Sequence, residues 1–123
     1  MDARRKDIWQ SKAEFKARVL QWAAKLDVEV RLLAVRPMSN KWASCSTAGS
    51  LNFNVELLLM EKVLGDYVIV HELLHFSVPN HGKLWKSLMR AHLGDYEFME
   101  KRLIEAVIIQ TAKLSTHNKN SDL

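Results

Sequence analysis

The fold of this chain is decided by the stretch Val70-His71-Glu72-Leu73-Leu74-His75-Phe76. It is apolar enough to form a buried helix, and on a helix residues four positions apart lie on the same face. His71 and His75 can therefore direct their imidazoles at one ion, with Glu72 beside them. Two neutral nitrogen ligands, with a carboxylate that can take a proton from a metal-bound water, are what a hydrolytic zinc site requires.

The main alternative is that this HExxH pattern arose by chance on a core helix. Average residue usage gives on the order of a few such matches per thousand chains of this length. Each of the three polar groups would then need its own buried partner, because unpaired burial costs roughly 1–3 kcal/mol per group. One metal ion would satisfy all three, so the pattern favours a zinc site.

The composition indicates one compact domain that spans residues 1–123. At 123 residues and 48% hydrophobic, the chain is long enough to form a single hydrophobic core without disulfide bonds or structural metals. Its apolar runs are shorter than a bilayer span, and the charged stretch from Met1 to Lys6 lacks the features of a signal peptide. Cys45 is the only cysteine, which excludes an intrachain disulfide and fits a reducing compartment. We therefore expect a cytoplasmic protein with no membrane partner.

The basic balance of the chain is a weak indication of nucleic-acid binding. The net charge is +4 and the pI is near 9.3. The basic residues are spread along the chain, without the interleaved aromatics of a single-strand binder. This distribution favours an ordinary solvated surface.

Hydrophobic periodicity predicts an α+β fold: an N-terminal helix, a small three-stranded twisted sheet, and a buried motif helix followed by two C-terminal helices. Thr47-Ala48-Gly49-Ser50 supplies a turn that joins the second and third strands as a hairpin. Pro79 should end the motif helix at Val78, and Asn80 should cap the next helix. The predicted helices cover 7–26, 55–60, 64–78, 81–93 and 95–112, the predicted strands 28–35, 41–46 and 51–54, and 113–123 form a polar tail that is flexible or inhibitory.

His81 is the predicted third metal ligand, since a catalytic zinc site has three protein ligands and one open position. It follows His75 at the interval found in the longer zincin motif HExxHxxGxxH, although Val78 stands where that motif has its glycine. Pro79-Asn80 can supply the turn instead. The alternative for His81 is an exposed polar residue beside a helix cap. The competing ligands are His92, Glu97, Glu100 and Glu105.

Residues from about 36 to 93 carry a more specific pattern than HExxH alone. In order they are Arg36-Pro37-Met38, Lys41-Trp42-Ala43-Ser44-Cys45-Ser46, Gly49, Leu51-Asn52, Asp66-Tyr67-Val68-Ile69-Val70-His71-Glu72-Leu73-Leu74-His75, Asn80-His81 and Leu84-Trp85. This run resembles the YgjP-like metal-dependent hydrolases, and in so short a chain most of all the minigluzincins, the small soluble metallopeptidases of that group. Two departures stand out: Ala43 replaces the usual glycine, and the loop before Asp66 lacks the usual proline.

The resemblance implies the site of a zinc-dependent peptidase. Its ligands to one catalytic Zn²⁺ would be His71, His75 and His81, with Glu72 as the general base that activates a zinc-bound water. It also implies a small twisted sheet whose edge strand borders the cleft, and a C-terminal segment that can hold the enzyme latent. The predicted function is hydrolysis of peptide bonds in a peptide or protein substrate.

Three further residues are candidate substrate contacts. Tyr67 lies four residues before His71 and so on the same helical face, where it could donate to an oxyanion or only pack. Asn52 and Asn54 share one face of their strand, to which an extended peptide could add through backbone hydrogen bonds. Ordinary turn and strand-end bonding is the alternative for both asparagines. Cys45 is expected to be a small core residue.

Two other classes of function fit the same residues. One is a binding module whose zinc is structural and is closed by a fourth ligand such as His92. The other is a DNA-associated peptidase like the related SprT-type proteins, for which the net charge of +4 is mild support.

Overall fold

The computed structural model describes residues 8–78 and 80–117, with side chains described as far as residue 106. Within these residues the chain forms four α-helices, three strands and a 3-10 helix, which confirms the predicted α+β class. The helices are α1 (Lys12–Lys25), α2 (Lys62–Leu74), α3 (Lys83–Leu93) and α4 (Tyr96–His117); the strands are β1 (Leu32–Arg36), β2 (Ala43–Cys45) and β3 (Ser50–Asn54); the 3-10 helix is Val55–Leu59. None of the helices in the described ranges is long and apolar enough to cross a membrane.

Helix α2 lies at the centre of the fold. Every residue from Leu64 to Val70 is buried, as are Leu73 and Leu74. A helix that is apolar around its whole circumference is stable only where other elements cover it on every side. Helices α1, α3 and α4, strand β2 and the 3-10 helix supply this cover.

A glycine lets the segment before α1 approach α2 closely. Trp9 is buried, and its ring atom Cζ2 lies 2.7 Å from the point where a Cβ on Gly65 would stand. The neighbouring Ile8 forms an isolated antiparallel bridge with Glu61 at the start of α2. Residue 65 must therefore lack a side chain for the N-terminal segment to cover this side of the helix.

The buried carboxylate of Asp66 ties α2 to α1. It accepts hydrogen bonds from Arg18 Nε and Nη2, both at 2.7 Å, and from Trp22 Nε1 at 2.8 Å. These three donors replace the water that the charge has lost on burial. These hydrogen bonds fix the rotation of α2 about its axis relative to α1. They thereby also fix the direction in which His71 and Glu72, on later turns of α2, point.

The three strands form one mixed sheet in the order β1-β3-β2. β3 pairs in parallel with β1 and antiparallel with β2, so the predicted hairpin is confirmed. Gly49 has a φ of 97° in the hairpin turn, a conformation that favours glycine. Because β3 is the central strand, the prediction that an extended peptide adds to β3 is wrong. The edge strand that packs against α2 is β2.

The motif helix ends earlier than predicted. α2 stops at Leu74, not at Val78, because the amides of residues 75–77 bond to carbonyls three positions back and tighten the chain into a turn. Pro79 follows this turn and lies outside the described residues.

The two C-terminal helices also differ from prediction at their ends. α3 begins at Lys83 with Gly82 as its N-cap, so Asn80 does not cap it. α4 continues through His117, past the predicted end at residue 112. The predicted tail therefore begins as helix, and its residues 118–123 lie outside the described part of the chain.

Replacing Asp66 with asparagine tests the link between α1 and α2. Asp66→Asn removes the charge opposite Arg18 and places an amide N–H₂ against existing donors. We expect the free energy of unfolding to fall by about 2–3 kcal/mol, the scale of hydrogen bonds to a charged group. Chemical denaturation measures the difference. The control Glu29→Gln, in an exposed pair with Arg31, should change it by less than about 0.5 kcal/mol. Equal losses in both variants would contradict the role of Asp66.

Candidate active site

Three imidazoles converge where α2 ends. His81 Nε2 lies 3.2 Å from His71 Nε2 and 3.1 Å from His75 Nε2. Nitrogen ligands bound at about 2.0–2.1 Å to a tetrahedral zinc ion are about 3.3–3.4 Å apart. Both distances are close to the spacing that one zinc ion requires, and the three ligating nitrogens all lie within 4.8 Å of one another.

The turn after α2 brings the chain back over the motif helix. His75 is the C-cap of α2 and keeps right-handed helical dihedrals, so its ring still lies beside that of His71. The carbonyl oxygen of Val78 lies 3.3 Å from His75 Nδ1. A carbonyl can only accept, so this bond places the proton on Nδ1 and leaves the Nε2 lone pair free for a metal.

The loop before α3 sets the position of His81. Asn80 Oδ1 accepts a hydrogen bond from the Gly82 amide at 3.0 Å. A Cβ on residue 82 would stand 2.9 Å from the same oxygen, so this tight loop favours glycine there. His81 lies between these two residues and beside His71 and His75, and its role as metal ligand stays a prediction.

Trp85 forms an aromatic wall behind the three imidazoles. Its ring centroid lies 5.1 Å from that of His71, 6.4 Å from that of His75 and 4.6 Å from that of His81. The indole is buried, and Tyr96 packs against it at 5.8 Å. Contacts on every ring restrict the side-chain rotamers, so the three nitrogens are held in position in advance.

Burial keeps His71 in the neutral form that binds metals. Loss of hydration, with smaller effects from His75 and His81, lowers the pKa of His71 to about 4. The cluster also lies at the C-terminal end of α2, where unpaired carbonyl groups favour a cation. His81 is exposed, so the cluster is open to solvent on that side.

Glu72 lies beside the cluster and contacts the edge strand. Burial raises the pKa of Glu72, whereas a hydrogen bond from the Cys45 thiol and nearby positive charges oppose that rise. Burial beside this carboxylate raises the pKa of Cys45 to about 11, so the thiol stays protonated and can donate. The Cys45 contact was missed in the sequence, where only a small core residue was expected. Strand β2 thus helps to position the carboxylate that α2 carries.

Tyr67 connects the preceding turn of α2 to α4. Its ring lies 5.7 Å from that of His71, and its hydroxyl donates to Glu100 Oε2 at 2.8 Å. Burial, followed by the bond to this carboxylate, raises the pKa of Tyr67, so the phenol keeps its proton. The hydroxyl is bound to α4, and the predicted contact with an oxyanion stays a prediction.

The two strand asparagines have different surroundings. Asn54 is buried; its Nδ2 donates to the carbonyls of Met38 and Lys41, each at 3.1 Å, and its Oδ1 accepts from an amide of the 3-10 helix. These bonds give Asn54 the structural role that was the alternative to substrate contact. Asn52 is half-buried and accepts from Arg36 Nε at 3.2 Å. Its predicted substrate contact stays a prediction.

Three of the four competing ligands, His92, Glu97 and Glu100, have other contacts. His92 packs edge to face against Trp22, with 6.2 Å between ring centroids. Glu97 forms an ion pair with Arg90 of α3, and Glu100 accepts the tyrosine bond described above. Within the described residues, the group whose ligating atoms lie close enough to share one ion is His71, His75 and His81.

Two cavities open beside His71. One, of about 310 Å³, runs between α2 and α4 and is lined mainly by apolar side chains. The other, of about 360 Å³, is more polar and reaches the cluster from the side of α3. Glu100 of α4 lines both. Periodicity predicts the apolar face of α4, but no signal in the sequence indicates that this face lies against the site.

The fold is that of a metallopeptidase domain. Residues 5–106 match the family model of the YgjP-like metallopeptidase domain, and the chain belongs to this family. Its structure is similar to the crystal structure of the metallopeptidase zymogen of Methanocaldococcus jannaschii jannalysin, with a TM-score of 0.68 and 26% sequence identity over 76% of this chain and 96% of that one. No curated protein matches the chain significantly. The resemblance inferred from the sequence is confirmed, and family membership implies a metal ion and a peptide or protein substrate.

Metal analysis of two histidine variants tests the ligand assignment. We expect close to one zinc ion per chain in the purified protein, and an affinity at least about 100-fold weaker in His81→Ala, because a direct ligand is lost. The matched control His92→Ala removes a histidine that faces Trp22 and should keep the ion. Elemental analysis after dialysis against a chelator measures both. Zinc retained in His81→Ala and lost from His92→Ala would overturn the assignment.

Proposed function

We propose that the chain is a zinc-dependent metallopeptidase in which His71, His75 and His81 hold one zinc ion and Glu72 is the general base. The observation that carries the proposal is that His71 Nε2 and His75 Nε2 both lie within 3.2 Å of His81 Nε2, beside the carboxylate that Glu72 carries on α2. Imidazole nitrogens are suitable ligands for zinc, and three of them leave one coordination position open.

Glu72 is suited to move the proton in peptide hydrolysis. When bound, zinc supplies Lewis-acid activation of a carbonyl and of water. Glu72 takes a proton from the attacking water and passes it to the leaving amine. Burial raises the pKa of Glu72, and the Cys45 thiol of β2 donates a hydrogen bond to its carboxylate.

The sheet offers a place for an extended substrate. β2 is the edge strand on the side of α2, and Cys45 of this strand contacts Glu72. A peptide that adds to β2 through backbone hydrogen bonds would lie along the base and the histidine cluster. Backbone pairing of this kind recognises an extended chain rather than particular side chains.

The alternative function, a binding module whose zinc is structural, has less support. It needs a fourth protein ligand, and His92, its best candidate, faces Trp22 instead. Exposure of His81 also leaves the cluster open to solvent, which suits a catalytic site.

Glu72→Gln separates metal binding from catalysis. The amide cannot take a proton, so we expect zinc content to stay at the wild-type level while kcat/KM for peptide cleavage falls by about 10²–10⁴-fold. A digest of a broad peptide library, analysed by mass spectrometry, measures the cleavage. The matched control Glu29→Gln changes an exposed carboxylate and should cleave at the wild-type rate. Wild-type cleavage by Glu72→Gln would rule out its role as base.

The C-terminal segment is a further proposed element, one that holds the enzyme latent. α4 lines both cavities beside His71, and the similar structure is that of a zymogen. Truncation after Ala112 removes residues 113–123, including the last five residues of α4. We expect peptide cleavage to rise several-fold as the restraint is weakened, with zinc content unchanged. An unchanged rate, with folding verified by circular dichroism, would count against latency.

A further inference from the structure

The apolar cavity between α2 and α4 lies directly against the reactive groups. His71 and Glu72 line one part of it. The remaining walls come from the residue before β2, from α2 and from α4: Trp42, Tyr67, Val68, Glu100, Leu103 and Ile104. A side chain that enters this cavity would therefore belong to a residue next to the bond being cut.

The chemistry of the walls defines what the cavity can hold. Its interior is formed by aromatic and branched aliphatic groups, and the Tyr67 hydroxyl is already bonded to Glu100. A polar group that entered would find few partners to replace its water. The two charged residues on the walls, Glu72 and Glu100, are both acidic, so a substrate carboxylate would also be repelled.

The volume fits one large side chain. An apolar cavity of about 150 Å³ is enough to take up benzene. The cavity here measures about 310 Å³, which leaves room for the whole side chain of phenylalanine, leucine or methionine. Alanine or glycine at the same position would leave most of it unfilled.

We propose that this cavity is the specificity pocket of the enzyme and that it selects substrates with a large apolar side chain beside the scissile bond. The inference rests on the proposed peptidase function and adds the class of substrate to it. Burial of one such side chain should favour the apolar substrate over its alanine counterpart by about 10- to 100-fold in kcat/KM.

Matched peptides test the preference. The set keeps one cleavable sequence, found with the library digest, and places phenylalanine, leucine, alanine or aspartate at each of the two residues that flank the cut. We expect the order phenylalanine and leucine, then alanine, then aspartate at one of these positions. Glu72→Gln serves as the blank. Glu72-dependent cleavage with no apolar preference at either position would overturn this inference and leave the proposed function standing.

A variant of the pocket wall ties the preference to the cavity. Ile104 lines the cavity and is 55% exposed, so a charged residue there does not enter the core. We expect Ile104→Asp to reduce the ratio of kcat/KM for the phenylalanine and alanine peptides by about tenfold. The control Leu20→Asp, 52% exposed on α1 and outside the cavity, should keep the wild-type ratio. An unchanged ratio in Ile104→Asp would overturn the assignment of this cavity.

Binding gives a readout that does not depend on turnover. Glu72→Gln should bind the phenylalanine peptide about tenfold more tightly than the alanine peptide, measured by fluorescence anisotropy of labelled peptides. Absence of any Glu72-dependent cleavage by the wild type would overturn the proposed function. Equal Kd values for the two peptides would overturn the pocket in either case.

Discussion

Helix α2 can exist in water only if the rest of the chain encloses it. Nine of its residues are buried, and they point in all directions around its axis. No single partner can cover such a surface, so elements from both halves of the chain must pack on it. The sheet, the N-terminal helix and the two C-terminal helices are arranged around this requirement. A polar site can then be built only where the enclosure ends, at the C-terminal turn of the helix.

Enclosure makes each polar group on α2 depend on a partner from another element. Asp66 has Arg18 and Trp22 of α1, Tyr67 has Glu100 of α4, and Glu72 has the thiol of β2. Each bond offsets the loss of hydration, and each also fixes one neighbouring element against α2. The same contacts that make burial tolerable therefore set the geometry in which the histidines and Glu72 meet.

Much of this structure can be predicted from local signals. Periodicity indicates the helices, the turn at Gly49 indicates the hairpin, and the motif places His71 and Glu72 on one helix. His81 could also be placed, because only a short turn separates it from His75. The tight turn of residues 75–77 directs the chain back toward the motif helix. In the longer zincin motif a glycine has this role.

Non-local features escaped prediction. Strand order depends on pairing between distant segments, and hydrophobic pattern alone could not reveal that β3 lies between β1 and β2. The same holds for the bond from Cys45 to Glu72 and for α4 beside the cavity, since each joins residues far apart in sequence. The end of α2 was misplaced for a different reason. Pro79 predicts a helix end at Val78, but α2 ends four residues earlier, at Leu74. The backbone hydrogen bonds that end it there do not depend on a particular residue type, so the sequence gives no signal for them.

The three imidazoles come from only eleven consecutive residues, 71–81, whereas the walls of the apolar cavity come from positions as far apart as 42 and 104. The cavity shares His71 and Glu72 with this short segment, but several of its walls come from the β2 region and from α4. Substitutions in the β2 region or in α4 can reshape the cavity while the segment that carries the three histidines stays intact. Under the proposed assignments, the preference for a substrate could therefore change through residues 42, 103 and 104 without any substitution among the three histidines.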